Sequence, residues 1–432
     1  MSEDGARPSD PLDRSLLPDT ADVDEHGRLH LGGCDVLELA EEFGTPLFVY
    51  DEAHLRSRGA AAVDVFGPDG AVYATKAFLC RAMARLAHEE GMRLDVATGG
   101  ELSVVLAAGV PADRVVLHGN NKSSEELALA LTAGVGRIIV DSTDEFDRIE
   151  ALVAAGGRRP QVLIRVNPGI EVHTHEHVQT GVLDSKFGFP LTTGQAEAAL
   201  ARAAASAAVD LVGVHLHIGS QVFSVDNFAD GLRAVAPFVR DADLPEFVVG
   251  GGLGVAYVAG EQAPDLRSWG ESVLATCREE GIRSAISAEP GRAIVASAAI
   301  TLYTVGTVKF IPGVRTYVAV DGGMSDNPRP VLYGSGYETF LPRAASSRRD
   351  LPIRLVGKHC ESGDLLVREG AVPADLSVGD VVATPVTGAY GHSMGSNYNK
   401  VLRPPVVFVR DGRAREVVRR ETVDDLLATD LG

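Results

Sequence analysis

"RVVLHGNNKSSEELALALTAGVGRIIVDS" (residues 114–142) decides the fold. Its first residues, "RVVLHG", are β-rich and apolar without polar alternation. The middle, "SSEELALALTAG", repeats its apolar residues at three- and four-residue spacing and stops at a glycine, as a helix with one buried face does. The last, "RIIVDS", is β-rich again. A strand, a helix and a second strand buried on both faces make one unit of a parallel sheet.

Working outward, the same unit recurs. The β-rich runs "AVYATK", "RLDVAT", "RVVLHG", "RIIVDS", "QVLIRVN", "LVGVHLHIG", "EFVVGGG" and "SAISAEPG" follow one another from about residue 70 to 290. Helical stretches such as "LCRAMARLAHEEG" and "TDEFDRIEALVAAGG" separate them. Eight units in about 220 residues predict a (β/α)8 barrel of the TIM type, with an open doubly wound sheet as the structural alternative. After residue 295 the texture changes. "ITLYTVGTVKF", "RTYVAVDGG", "PIRLVGKHC", "GDVVATPVTGAY" and "PPVVFVRDG" read as strands between Gly, Pro and Asp turns, with helical spacing returning only in "TVDDLLATD". The expected organisation is a disordered leader over 1–26, a segment over 27–50 that joins the β domain, a barrel over 51–295 and a C-terminal all-β domain over 296–432.

The chain has 432 residues, 45% of them apolar and 23% charged, enough for two cored domains. Its net charge of −19 argues against nucleic-acid or anionic-membrane partners. No apolar run approaches the ~20 residues of a membrane helix. The polar, acidic start "MSEDGARPSDPLDR" does not read as a secretory signal. Cys34, Cys80, Cys277 and Cys360 lack CxxC or zinc spacing and read as reduced thiols of a cytoplasmic protein.

Chemistry in such barrels gathers at the C-terminal ends of the strands, and the unusual residues fall there. Lys76 ends the first strand and Asp95 lies in the second. "HGNNK" (118–122) follows the third, "HIGSQ" (217–221) the sixth, Gly250–Gly252 the seventh and "EPGR" (289–292) the eighth. Each has a plain reading: a surface lysine, a core histidine, tight glycine turns, a turn ending in a surface arginine. Glu289 resists it, because an unpaired carboxylate closing a buried strand is costly. Together the residues suit pyridoxal 5′-phosphate, which needs a lysine for its aldehyde, backbone amides for its phosphate and a partner for its ring nitrogen. Lys76, the glycine loop with Ser220, and Glu289 meet those needs. "HTHEH" (173–177) looks metal-like but reads as a polar loop, and no metal is expected.

With these residues in hand, the chain resembles the fold-type III pyridoxal-phosphate decarboxylases, and among them the diaminopimelate decarboxylase family. The resemblance runs from about residue 27 to 427 through "YATKAF", "LDVATGGEL", "LHGNNKS", "HTHEH", "DSKFGF", "HLHIGSQ", "GGGLGVAY", "EPGRAIV", "VDGGMSDN", "KHCESGDLL" and "GAYGHSMGSNYN", in order and spacing. It implies that Lys76 bonds covalently to the cofactor and that His217 stacks on its ring. Asp95 would be a further cofactor contact. Ser220, Gly252 and the 289–292 turn, with Gly291 and Arg292, would hold its phosphate. Glu289 would bind its ring nitrogen, and Tyr390 would reach it from the β domain. Arg292, Arg329, Tyr333, Glu361 and Tyr390 would bind substrate. Cys360 and Glu361 would enter from the partner subunit of a homodimer with shared active sites.

A carboxylate at the ring nitrogen favours decarboxylation over racemisation, for which relatives of the same fold place an arginine there. Cys360 is the expected proton donor, since a thiol of ordinary pKa can protonate carbon at neutral pH; its plain reading is a small buried hydrophobe. Arg329 and Arg292 offer forks for a carboxylate and Glu361 a site for an ammonium. A substrate carrying an amino-acid head at both ends is diaminopimelate, whose decarboxylation gives lysine. The family adds that the meso isomer is the one used. The alternatives are decarboxylation of ornithine, lysine or arginine, a natural-product paralogue, and a non-catalytic pyridoxal-phosphate-binding barrel. The chain departs from the family pattern at His392, Gly395 and Pro328.

Overall fold

In a computed structural model of the chain, which describes residues 10–169 and 184–432, the repeated apolar runs fall on parallel strands. These are β1 (Val72–Ala74), β2 (Arg93–Val96), β3 (Val115–Leu117), β4 (Arg137–Val140), β5 (Gln161–Asn167), β6 (Asp210–Leu216), β7 (Glu246–Val248) and β8 (Ala285–Ser287). Each pairs in parallel with the next. Ala71 bridges Ala288, with Val72 N–H donating to Ala288 O (2.9 Å) and Ala288 N–H to Gly70 O (2.8 Å), so the sheet closes on itself. Closure selects the barrel over the open sheet.

Inside the barrel Val72, Val116, Ile139, Leu163 and Val248 pack as one apolar layer. Outside it, helices return the chain between strands. Ser124–Ala133 shows why the opening stretch folds as it does: Ser123 and Glu126 form a capping box at its start, and Gly134, at φ +79°, ends it. Trp269 lies fully buried between Phe66 and Phe228 and ties Leu266–Glu279 to its neighbours.

The chain divides into two compact units. One is the barrel, Arg58–Val255 with Ala263–Ala293. The other comprises the described residues up to Ser57, Ala256–Gln262 and Ile294–Gly432. Its sheet is built on the long strand Ala299–Ile311, which pairs antiparallel with Arg315–Val320, Val381–Pro385 and Leu47–Asp51. Leu47–Asp51 is fully buried and also pairs in parallel with Val406–Arg410. The N-terminal segment thus supplies an interior strand of the β domain. Leu365–Val372 and Arg413–Val418 add two strands that the sequence reading does not predict.

The leader expected over 1–26 needs correction where it is described. Asp13 caps a 3-10 turn at Arg14–Leu16, Leu12, Leu16 and Leu17 are buried, and Thr20 donates through N–H and Oγ1 to Asp51 (3.1 and 2.7 Å). Three leucines within six residues give this polar segment an apolar anchor. "HTHEH" lies outside the described residues.

Candidate active site

Lys76 sits in the turn Thr75–Ala77 that ends β1. Thr75 Oγ1 donates to Asp95 O (2.7 Å) and Tyr73 OH to Phe78 O (2.6 Å), so buried neighbours pin the turn while Lys76 itself stays exposed. Its charge acts on Asp95 and His217, which places the ammonium at the barrel mouth.

Glu289, just past β8, is buried, and two histidines meet its carboxylate. His215, from β6, lies with Nε2 3.0 Å from Oε2, and His118, just past β3, with Nε2 2.9 Å from Oε1. The His215 contact is an aligned hydrogen bond. The His118 contact is an ion pair off the hydrogen-bond axis, which leaves His118 Nε2 and Glu289 Oε1 buried without an aligned partner. Asp95, buried on β2, stands 3.9 Å from His118. The rings of His118 and His215 meet edge to face at 4.9 Å.

The electrostatics follow from this packing. Burial alone raises the Glu289 carboxyl, but the charge and contacts of His118 and His215 outweigh it and hold Glu289 well below the usual carboxylate range. Burial lowers His118, but Asp95 and Glu289 outweigh that and raise it. His215 is pushed down to about 4 by burial, with Glu289 opposing only in part. Asp95 is pushed up to about 6, by burial first, against the pull of His118. The packing therefore favours the charged form of Glu289 and of His118 and the neutral form of His215.

The turns after β6 and β7 cross in contact. Gly252, at φ +106°, lies so close to Gly219 that an added Cβ would collide with its carbonyl oxygen. Val222 N–H donates to Gly252 O and Gly254 N–H to Val222 O, both at 2.9 Å, and Gln221 Nε2 donates to Val255 O (3.0 Å). Ser220 lies in this corner. Gly251 N–H donates to His217 Nδ1 (3.3 Å), and burial, with Lys76 and Arg165 adding, holds the His217 imidazole well below its ordinary pKa. Gly291 brings the turn after β8 against the end of β1, where an added Cβ would stand 2.8 Å from Ala74 O. Arg292 begins the helical turn Arg292–Val295 and is half-buried.

The β unit holds the remaining predicted residues. Arg329 is buried, its guanidinium 4.1 Å from the Tyr257 ring centroid and donating from Nη1 to Tyr337 OH (2.5 Å). Pro328 caps the short helix Arg329–Tyr333, which ends at the exposed Tyr333. Cys360 and Glu361 are exposed on one loop, so Cys360 is not the buried hydrophobe of its plain reading. Buried His359 anchors that loop, facing Ser325 Oγ (2.8 Å) through Nε2 and Asn399 Oδ1 (3.1 Å) through Nδ1. Tyr390 takes a positive φ of 60°, and His392 packs edge-on against Phe48 at 5.7 Å.

The barrel thus gathers Lys76, Asp95, His217, Ser220, Gly252, Glu289, Gly291 and Arg292 at the C-terminal ends of its strands. Arg329, Tyr333, Cys360, Glu361 and Tyr390 belong to the β unit. The sequence reading quotes "HGNNK" and "HLHIGSQ" without singling out His118 or His215, which flank Glu289. Among the described residues, His118, His215 and Glu289 also form the one group with metal-ligand character, their ligand atoms within 4.8 Å of one another. Lys122 of "HGNNK" turns away from this cluster: its Nζ is buried against Gly119 O (2.7 Å), Ile139 O (2.6 Å) and Glu145 (2.7 Å).

These residues fit pyridoxal 5′-phosphate. Glu289 Oε1 is a buried acceptor without an aligned hydrogen bond, Lys76 supplies an amine at the mouth, and the glycine turn at Gly252, packed against Gly219, is of the kind whose backbone amides can hold an anion.

Comparison with known proteins agrees. Residues 52–296 match the family model described as pyridoxal-dependent decarboxylase, pyridoxal binding domain. The chain is 45% identical to a diaminopimelate decarboxylase of Mycobacterium tuberculosis, covering 96% of this chain and 98% of the relative. It is 43% identical to that of Bacillus subtilis, covering 96% and 98%. Its structure resembles the diaminopimelate decarboxylase of M. jannaschii in complex with L-lysine, with a TM-score of 0.89 at 31% identity over 96% of this chain and 98% of that one.

Proposed function

Because the chain belongs to the pyridoxal-dependent decarboxylases, and within them to the diaminopimelate decarboxylase family, we propose that it converts meso-2,6-diaminopimelate to L-lysine and CO2, the last step of lysine biosynthesis. The observation that carries this reading is the meeting of Lys76, Asp95, His217 and Glu289 at one end of a closed barrel, in a chain alike over nearly its whole length to enzymes of that name.

Bound pyridoxal 5′-phosphate supplies the sink for the electrons left when CO2 departs. The protein's residues do the rest. Lys76 provides the amine that bonds to the aldehyde. Glu289, whose charged form its histidines favour, would accept the ring N–H. His217, its Nδ1 occupied by Gly251 N–H, offers a neutral ring for stacking. Ser220, Gly252, Gly291 and Arg292 hold the phosphate, and Asp95 and Tyr390 contact the cofactor. Arg292, Arg329, Tyr333, Glu361 and Tyr390 bind the substrate; the charge of Arg329, backed by Tyr257 and Tyr337, suits a carboxylate. Cys360 protonates the reacting carbon. We assign Cys360 and Glu361 to the neighbouring site of a homodimer, a reading supported by their exposure on one anchored loop. No described helix is long and apolar enough to cross a membrane, and with no disulfide among its four cysteines we place the protein in the cytoplasm.

The test is incubation of the cofactor-loaded protein with meso-diaminopimelate, measuring lysine and CO2. Release of CO2 from ornithine, lysine or arginine in its place would overturn the substrate assignment. Lys76→Ala is expected to abolish activity and the yellow colour of the bound cofactor together; a yellow, active variant would remove Lys76 from its role.

A further inference from the structure

Among the described residues, Glu289 is the buried carboxylate of the barrel mouth met by two histidines, and the two contacts differ in kind. His215 makes an aligned hydrogen bond to Oε2, while its Nδ1 is buried without a partner. A protonated His215 would bury an unsatisfied N–H at Nδ1, so the geometry calls for the neutral, Nε2–H form. His118 sits off the hydrogen-bond axis of Oε1 but within 2.9 Å of it, and 3.9 Å from Asp95. Between two carboxylates, it has reason to carry charge and little to gain as a directional donor.

We propose that His215 and His118 are positioning residues that divide the handling of Glu289 between them: His215, as a neutral donor, fixes the rotation of the carboxylate by holding Oε2, and His118, as a cation, balances the charge on Oε1, the oxygen turned to the cofactor's ring nitrogen. This rests on the reading of Glu289 as the partner of that nitrogen. The geometry supports the division: the His118 imidazole faces two carboxylates, Glu289 at 2.9 Å and Asp95 at 3.9 Å, whereas His215 faces Glu289 alone at 3.0 Å. Burial comes first in raising the Asp95 carboxyl, with Glu289 adding to it, while Asp95 and Glu289 raise the His118 imidazole against its burial. The other charges that act on the cluster are Lys76 after β1, Glu101 on the helix after β2 and Arg165 on β5; His217, after β6, faces it as a neutral ring.

The two roles predict different behaviour for conservative variants. In holoenzyme, the readouts are kcat, KM and the pH at which the visible absorption of the bound cofactor changes. His215→Leu is expected to lower kcat by about 10–100-fold, the scale of losing one hydrogen bond to a charged group, with KM within about threefold. His215→Gln keeps a neutral donor and is expected to recover most of that loss without moving the absorption midpoint. His118→Gln removes a cation and is expected to raise the midpoint by about one pH unit, whereas Glu289→Gln removes an anion and lowers it. Equal damage from His215→Gln and His215→Leu, or an unmoved midpoint in His118→Gln, overturns the proposal. An unmoved midpoint in Glu289→Gln overturns instead the assignment of Glu289 on which it rests. Should the variants misfold, nitrogen NMR of the unsubstituted holoenzyme decides. The imidazole assigned to His118 is expected to hold its second proton to a higher pH than the one assigned to His215, which stays neutral with Nε2–H; titration of the two together, or in the reverse order, overturns the proposal.

Discussion

Asp326 shows how a single buried acid couples this fold to pH. It lies in "VDGGMSDN", 1% exposed, accepting from Gly323 N–H through Oδ2 (2.9 Å). Burial pushes its carboxyl up to about 7, with Asp321 and Asp364 adding to the rise. A folded-state pKa above the unfolded value of about 3.9 means that the native state binds the proton more tightly. The stability this contributes is present below about pH 4 and is lost as pH rises through 7. Asp326→Asn keeps the neutral form at every pH. Its stability relative to the parent is therefore expected to increase by roughly 1–3 kcal/mol between pH 5 and pH 8. Urea denaturation at both values checks this, and a difference that does not change with pH would mean that Asp326 is ionised in its pocket. At this scale the sequence is an uneven guide. Lys76 and Glu289 stand out because a charge at the seam of an apolar strand is conspicuous. His118 and His215 do not, because a histidine beside a strand is ordinary, and what makes these two special is a meeting across the barrel interior with a residue 171 and 74 positions away. Only closure of the sheet brings β3, β6 and β8 to one point.

The turn after β3 illustrates what an element demands of its charged residues. Lys122 and Glu145 are each about 1% exposed in their side chains and 2.7 Å apart. Lys122 also ties Gly119 O to Ile139 O, and Glu145 accepts from Asp141 N–H at 3.1 Å, so the pair joins the ends of β3 and β4. Burial lowers the Lys122 ammonium and raises the Glu145 carboxyl, and each opposes the other's shift. Removing one partner strands a buried charge and is expected to cost about 3–5 kcal/mol, in Lys122→Met as in Glu145→Leu, while the double variant recovers most of it. Denaturation of the two single variants and the double one checks this, and additive losses would show that the pair acts as two separate contacts. Elements as a class were readable where apolar runs persist: β1 to β7 carry mostly buried apolar residues at their centres, and β1 to β8 fall where the runs predict them. Leu365–Val372 escaped because Arg368 and Glu369 are exposed in mid-strand and break its apolar run. Leu47–Asp51 was recognisable as a strand, but its partners lie about 250 and 355 residues downstream, and no local pattern names them.

For the whole molecule, the assignment of Cys360 to a neighbouring site makes a prediction about mixtures. Lys76→Ala and Cys360→Ala chains are each expected to be inactive. Mixed and allowed to exchange subunits, half of the dimers are hybrids with one intact site, which restores about a quarter of the parent activity. Mixtures that stay inactive although hybrid dimers form would place Cys360 in the site of its own chain. The arrangement of the β unit carries a further consequence for how the chain is made. Leu47–Asp51 leaves the ribosome early, yet its first strand partner, Ala299–Ile311, is translated about 250 residues later, some 12–50 s at about 5–20 residues per second. Through that interval a strand apolar but for its terminal Asp51 waits with both edges unpaired while the barrel's codons are read. Translation pauses inside the barrel, or a shortage of chaperone, should therefore trap nascent chains through this one segment, however sound the finished fold.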